Sequence, residues 1–163
     1  MRYGRLTVRL ILVVFLWFVA VAHGQDLAAL QASQDLSGLQ QSFTADINAL
    51  NSRNLSAAVA SIDDHLVLFG IFSPFPIAGK DAFRTAVQDY FENYEHAVIT
   101  PIDPEYKAMG ATGVAWGNFR LATRHKSGPQ EYADGRYMLT YTRINGKWHA
   151  ISMHYSLLKP LVK

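Results

Sequence analysis

From His96 onward the apolar side chains stop recurring every three or four residues and begin to alternate, and the alternation runs almost to the end of the chain. Successive side chains of a strand point to opposite faces, so a sustained period of two predicts strand after strand. Four runs carry it: His96–Met109, Thr112–His125, Glu131–Arg143 and Trp148–Leu158. Pro101 and Pro104 interrupt the first, which predicts an edge or a bulged strand. Lys126-Ser127-Gly128-Pro129 reads as one turn and Ile144-Asn145-Gly146-Lys147 as another. An Asn-Gly pair between alternating runs predicts a tight hairpin, because both turn positions need positive φ. Strands joined by such short turns make an antiparallel meander.

The residues before this switch follow helical spacing. Leu36, Leu39, Phe43, Ile47 and Leu50 recur at three- and four-residue steps, and Asn51-Ser52-Arg53-Asn54 ends that helix. Leu55–Ile62 predicts a short second helix, with a turn at Asp63-Asp64. His65–Phe72 is rich in β-forming residues, and Ser73-Pro74-Phe75-Pro76 is a loop. A third helix is expected from about Lys80 to Tyr94, with Ala82, Phe83, Ala86, Val87, Tyr90 and Phe91 on its apolar face. Helices first and a meander second predict an α+β fold, the helices packed on one face of a curved sheet.

The N-terminal segment is read separately. Arg2, Arg5 and Arg9 precede Leu10–Ala22, thirteen residues without a charge, and Ala22-His23-Gly24 supplies small residues before Gln25. This is the layout of a secretory signal peptide. As a helix the uncharged stretch rises only about 20 Å, short of the roughly 30 Å hydrocarbon core. The expected organisation is a leader over residues 1–24 and one domain over residues 25–163, exported to the periplasm or beyond, with no stable membrane anchor after cleavage. Removing the three leader arginines leaves 12 basic and 13 acidic side chains, a net charge of −1, so no nucleic-acid partner is expected. The balance is uneven: residues 25–110 hold 11 acids and 4 bases, residues 111–163 hold 2 acids and 8 bases. There is no cysteine, so an apolar core rather than disulfides must hold an exported domain together.

Candidate site residues come from the faces of the meander. By parity, Trp148, Ala150, Ser152, His154 and Ser156 share one face of the last run, and His149, Ile151, Met153, Tyr155 and Leu157 the other. Trp116, Asn118, Arg120, Arg136, Trp148, His154 and Ser156 can be grouped as the wall of a cavity, and inward arginines would suit an anionic ligand. Phe119, Leu121, Leu139, Tyr141, Ile151, Met153 and Tyr155 then form a broad apolar face expected to meet a partner subunit. The histidines at 65, 96, 125, 149 and 154 lack H-x-H and H-x3-H spacing, so no metal is expected. No Gly-rich phosphate loop or nucleophile elbow is present, and no cofactor is expected.

The pattern W-x5-H-x-S at Trp148, His154 and Ser156, after an Asn-Gly-Lys turn, resembles the end of SnoaL-like domains in the nuclear transport factor 2-like superfamily. It is similar also to the association domain of calcium/calmodulin-dependent kinase. Phe43–Asn51 followed by Leu55 onward resembles the family's first two helices, and Gly79-Lys80-Asp81-Ala82 the start of its third. The resemblance covers about residues 36–158. It implies a cone-shaped fold, a pocket inside, and homodimerisation through the open sheet face. Arg136 matches a basic position of many SnoaL-like strands. Ketosteroid isomerase-like members of the superfamily use a pocket carboxylate, yet residues 111–130 and 135–163 contain no Asp or Glu. A base would have to come from Asp46, Asp64, Asp103, Glu105 or Glu131. Three functions therefore stand: a pocketed module binding a small organic molecule, with His154 a hydrogen-bonding group on the pocket floor; a cofactor-independent lyase or isomerase using His154 with Asp46 or Glu105; and an oligomerisation module without a ligand.

Overall fold

The computed structural model describes the backbone from Gly4 to Leu158 and the side chains from Leu27 to Leu158. Residues 1–35 and residues 36–163 form two compact units. Helix α1 spans Gly4–Asn51, so the polar, Ala-rich stretch 25–34 is helical as well. The leader expected over residues 1–24 lies outside the residues whose side chains are described. Among the described residues no helix is long and apolar enough to cross a membrane.

The second unit follows the predicted order of helices and strands. After α1 come α2 (Leu55–Ala60), β1 (Ile62–Phe69), β2 (Ile77–Ala78), α3 (Lys80–Asn93), β3 (Tyr94–Met109), β4 (Thr112–His125), β5 (Gln130–Ile144) and β6 (Lys147–Leu157). Asn54 caps α2 by accepting from the Ala57 N–H. Asp63 and Asp64 sit inside β1, where a turn was expected, and Gly70–Phe72 belong to the connection after it. The strands form one six-stranded sheet in the order β2-β1-β6-β5-β4-β3. β3 to β6 are the antiparallel meander, but β1 joins β6 in parallel, which places the last strand near the middle of the sheet. β3 is both an edge strand and a bulged one, with Asp103 at φ 47° between Ile102 and Glu105. Asn145 and Gly146, at φ 52° and 78°, make the two-residue hairpin between Ile144 and Lys147.

The core fills the space between the helices and one face of the sheet. Leu39, Phe43 and Ile47 of α1 and Phe83 and Val87 of α3 are buried with Ala115, Phe119, Leu121, Tyr137, Leu139, Tyr141 and Met153 of the sheet. Asn51 ties the end of α1 to β3: its side chain donates to the Ile99 carbonyl and accepts from the Ile99 N–H, both at 2.8 Å. Arg53, at φ 57°, donates to the Phe91 and Tyr94 carbonyls and lies over the Phe91 ring, joining the ends of α1 and α3.

The two faces of the sheet are the reverse of the sequence expectation. The broad apolar face lies under the helices, not against a partner. The grouping Trp116, Asn118, Arg120, Arg136, His154 and Ser156 is on the opposite, outer face. Register aligns Trp116, Met138 and His154 across three strands, and Asn118, Arg136 and Ser156 beside them. The physical reason is that helices must cover the larger apolar area, and the aromatic and aliphatic side chains of β4, β5 and β6 supply it. Trp148 leaves this grouping altogether. A bulge in β6 pairs Thr140 with Ser152 but Tyr141 with Ala150, leaving Ile151 as the extra residue. The parity flips there, so Trp148 and Ala150 turn into the core with Met153.

Candidate functional site

A cleft of about 770 Å³ opens between α3, the end of β1 with its following connection, and the inner face of the sheet. Its lining follows from the amphipathic spacing of α3, which presents Ala82, Phe83, Ala86, Val87 and Tyr90 to one side. Phe119 and Leu121 of β4, Met153 and Tyr155 of β6 and Ile99 of β3 form the facing wall, and Leu68, Ile71 and Phe72 close a third side. The small Ala82 and Ala86 leave the volume that larger residues would fill. Rings gather at one end. Phe72 packs on Tyr90 and on Tyr94, each with centroids 5.5 Å apart, and Tyr94 packs on His125 at 4.1 Å. Asp89 and His125 are the ionisable side chains on the cleft besides the tyrosines, and neither Lys nor Arg lines it.

Behind the cleft wall lies a buried carboxylate. Asp46 falls within the apolar stripe of α1, three residues after Phe43, and is 7 % exposed. Its oxygens accept from the Ser61 hydroxyl and, at 3.1 Å, from the Tyr141 hydroxyl. Burial outweighs these two donors and pushes its pKa up to about 6 from 3.8. Tyr155 links this group to the cleft that it lines. Burial first, then the charge of Asp46 and the neighbouring Tyr137, pushes the Tyr155 phenol well up, so it stays protonated. Tyr141 is raised for the same two leading reasons.

The sequence-predicted residues fall elsewhere. His154 is exposed on the outer face, and its ring lies near Phe69 at 6.1 Å. Glu105 is also exposed there, opposite Trp116 on β3. Three strand spacings separate it from His154, roughly 14 Å. Neither the His154–Asp46 nor the His154–Glu105 pair is brought together, because Asp46 is beneath the sheet and Glu105 is across it. Arg120 is held by Asp134 through two hydrogen bonds at 2.8 and 2.9 Å on the surface, and Arg136 is exposed. No cationic pocket forms from them. Asn118 and Ser156 flank Arg136 on the same outer face. Of the nine predicted site residues, Asp46 alone approaches the cleft, while Trp148 packs in the core beside Gly38 and Gly113. Sequence reasoning missed Tyr155, Tyr141 and Ser61. A carboxylate set in a helix's apolar stripe demands hydrogen-bond donors from facing elements, a signal that such donors exist but not of which residues supply them. Among the described residues no group of three or more His, Cys, Asp or Glu is placed to hold a metal ion.

The sequence matches the SnoaL-like domain over residues 21–160. The chain belongs to that family. No curated protein matches it. Solved structures similar to this SnoaL-like domain carry the same fold at low identity. A candidate dehydratase of the nuclear transport factor 2-like family from Streptomyces avermitilis superposes with a TM-score of 0.73 at 12 % identity, over 78 % of this chain and 99 % of that one. A ketosteroid isomerase-like protein from Erwinia carotovora atroseptica gives 0.67 at 18 % identity, over 77 % and 98 %. A candidate calcium/calmodulin-dependent protein kinase II association domain from Xanthomonas campestris gives 0.65 at 19 % identity, over 74 % and 84 %. These likenesses concern the fold, which hosts several functions.

Proposed function

We propose that this SnoaL-like domain binds a small, largely apolar organic molecule in the cleft between α3 and the sheet. The observation that carries this reading is the cleft's volume of about 770 Å³ combined with its apolar, aromatic lining. Native mass spectrometry of the protein purified from its own host tests it. A retained small-molecule adduct is expected, and Ala86→Trp, which fills the cleft from α3, should abolish it without loss of helix signal. A wild-type protein that carries no adduct and binds no apolar probe overturns the reading.

Acid–base turnover is the second reading, favoured by the buried Asp46 carboxyl with its pKa near 6 and by its closeness to Tyr155. It ranks lower because Asp46 does not itself line the cleft. The domain is also proposed to pair with a second copy through the outer sheet face, where Val67, Phe69, Ile102 and Met138 are exposed around Trp116. Export rests on the leader pattern of residues 1–24, and a mature N-terminus at Gln25 is its test.

A further inference from the structure

The chain carries no charge from Leu66 to Gly79, a run that covers the end of β1, the connection at residues 70–76 and β2. Phe69, Phe72 and Phe75 stand out of it at 52, 58 and 76 % exposure, and Phe75 is the most exposed large apolar side chain among the described residues. Burying a ring of this size is favourable, yet the loop holds it in solvent. Pro74 and Pro76 bracket Phe75, and each fixes its own φ. The Ser73 hydroxyl donates to the Phe75 carbonyl at 2.8 Å and accepts from the Phe75 N–H at 3.3 Å. A backbone braced in this way has little freedom left to lose when the ring docks on something.

The bonding of this tip points to what it meets. Proline has no N–H, and Ser73 occupies both backbone groups of Phe75, so residues 74–76 bring no unpaired donor to a new surface. The run has no charged side chain, and its one hydroxyl between Phe69 and Ile77 is spent on the loop itself. A protein partner is recognised through a polar rim and several hydrogen bonds, which such a tip does not offer. Hydrocarbon makes the opposite demand: it penalises each charge and unpaired backbone group and rewards apolar rings. We propose that residues 72–76 dock the domain reversibly on a lipid bilayer, with the Phe75 ring entering the boundary between headgroups and acyl chains and Phe72 beside it. Gly70, Ile71, Phe72 and Ser73 of the same connection line the cleft, so docking sets that side of the cleft against the bilayer. An apolar molecule then passes between hydrocarbon and cleft without crossing bulk water. That passage rests on the cleft being a binding site; the docking does not.

The chain has no cysteine, so one introduced cysteine takes a polarity-sensitive nitrobenzoxadiazole label at a single place. Ala78→Cys puts the label on β2 at the foot of the loop and leaves Phe75 intact. Lys147→Cys is the control: Phe69 pairs with His154 near the end of β6, whereas Lys147 begins that strand. Each protein, as purified from its own host, is titrated with phosphatidylcholine vesicles. The label at residue 78 should brighten and shift to the blue, and lipid brominated in its acyl chains should quench it; the label at residue 147 should do neither. Phe75→Asp in the Ala78→Cys background should raise the lipid needed for half-response about tenfold, the effect of withdrawing one aromatic side chain from hydrocarbon. Phe75 is exposed, so its thermal melt should match that of the parent. A silent label at residue 78, equal responses at the two positions, or a Phe75→Asp curve that overlays the parent overturns the inference. A response that requires anionic lipid and fades in high salt overturns it too, because charge would then be the attraction. Docking by a protein that retains no small-molecule adduct and binds no apolar probe overturns the cleft reading and leaves this inference standing.

Discussion

Replacing Asp46 by Asn should remove a pH dependence that the fold itself creates. In the unfolded chain this carboxyl titrates near its ordinary value of 3.8, and in the folded protein burial moves it to about 6. A carboxyl raised by folding binds its proton more tightly in the native state than in the unfolded one. Its favourable contribution is therefore complete below pH 3.8 and is lost as the pH rises to 6, above which the buried charge is a constant penalty. A shift of roughly two units corresponds to about 3 kcal/mol between those limits. Asn keeps the shape; its Oδ1 accepts from one of the two hydroxyls of Ser61 and Tyr141 and its Nδ2–H donates to the other, and it carries no charge to bury. Urea denaturation of wild type and Asp46→Asn at half-unit steps from pH 4 to pH 8 isolates the effect as a difference curve. The variant should gain on the wild type by about 2.5 kcal/mol across this range, with most of the gain complete by pH 6.5. A flat difference curve, or one that runs the other way, would refute the claim that burial dominates over the two hydroxyl donors.

Four other outcomes follow from the same geometry. Tyr141→Phe deletes one donor to Asp46, so it should cost about 1–3 kcal/mol above pH 6 and less at pH 4, read by the same titration. Gly135→Ala should destabilise by about 1–3 kcal/mol and weaken cleft binding, because an added Cβ would lie 2.4 Å from the Phe119 ring and drive that ring toward the cleft; melting temperature and probe affinity check both halves. His154→Ala, on the outer face, should leave probe affinity within about twofold; a tenfold loss would return His154 to the site. Met138→Lys places a charge in the centre of the outer face; under the proposed pairing, sedimentation should show dimers for the wild type and monomers for the variant, and an unchanged distribution would rule out pairing through that face.

The fold was legible because its signals are local. The spacing of Leu39, Phe43 and Ile47, the Asn145-Gly146 turn and the alternation in β4 and β5 each depend on neighbours in sequence, and each element formed where these place it. The site was not, because it depends on which face of the sheet the helices cover. Parity sorts Trp116, Arg136 and His154 into one set and Phe119, Leu139 and Met153 into another, but it does not say which set is inside. The apolar set had the larger area to bury, so hydrophobic burial could have decided the question. Trp148 was lost for a second reason: the bulge near Ile151 arises from pairing with β1 and β5 together, and nothing in the residues 148–156 marks it. Asp46 was legible as a candidate base, whereas its donors were not, because Ser61 and Tyr141 are 15 and 95 residues away in sequence.

The parallel pairing of β1 with β6 has a consequence for how this chain can be made. β6 lies between β1 and β5, so the sheet is completed from its middle by the last strand to emerge during synthesis. Until then β1 and β2 are separated from the meander, and the cleft lacks Met153 and Tyr155. The sheet therefore stays unclosed until β6 has emerged, and long-range closure of this kind is slow. A variant stopped before Trp148 would release two half-sheets with open edges, a substrate for proteases rather than a smaller version of the domain.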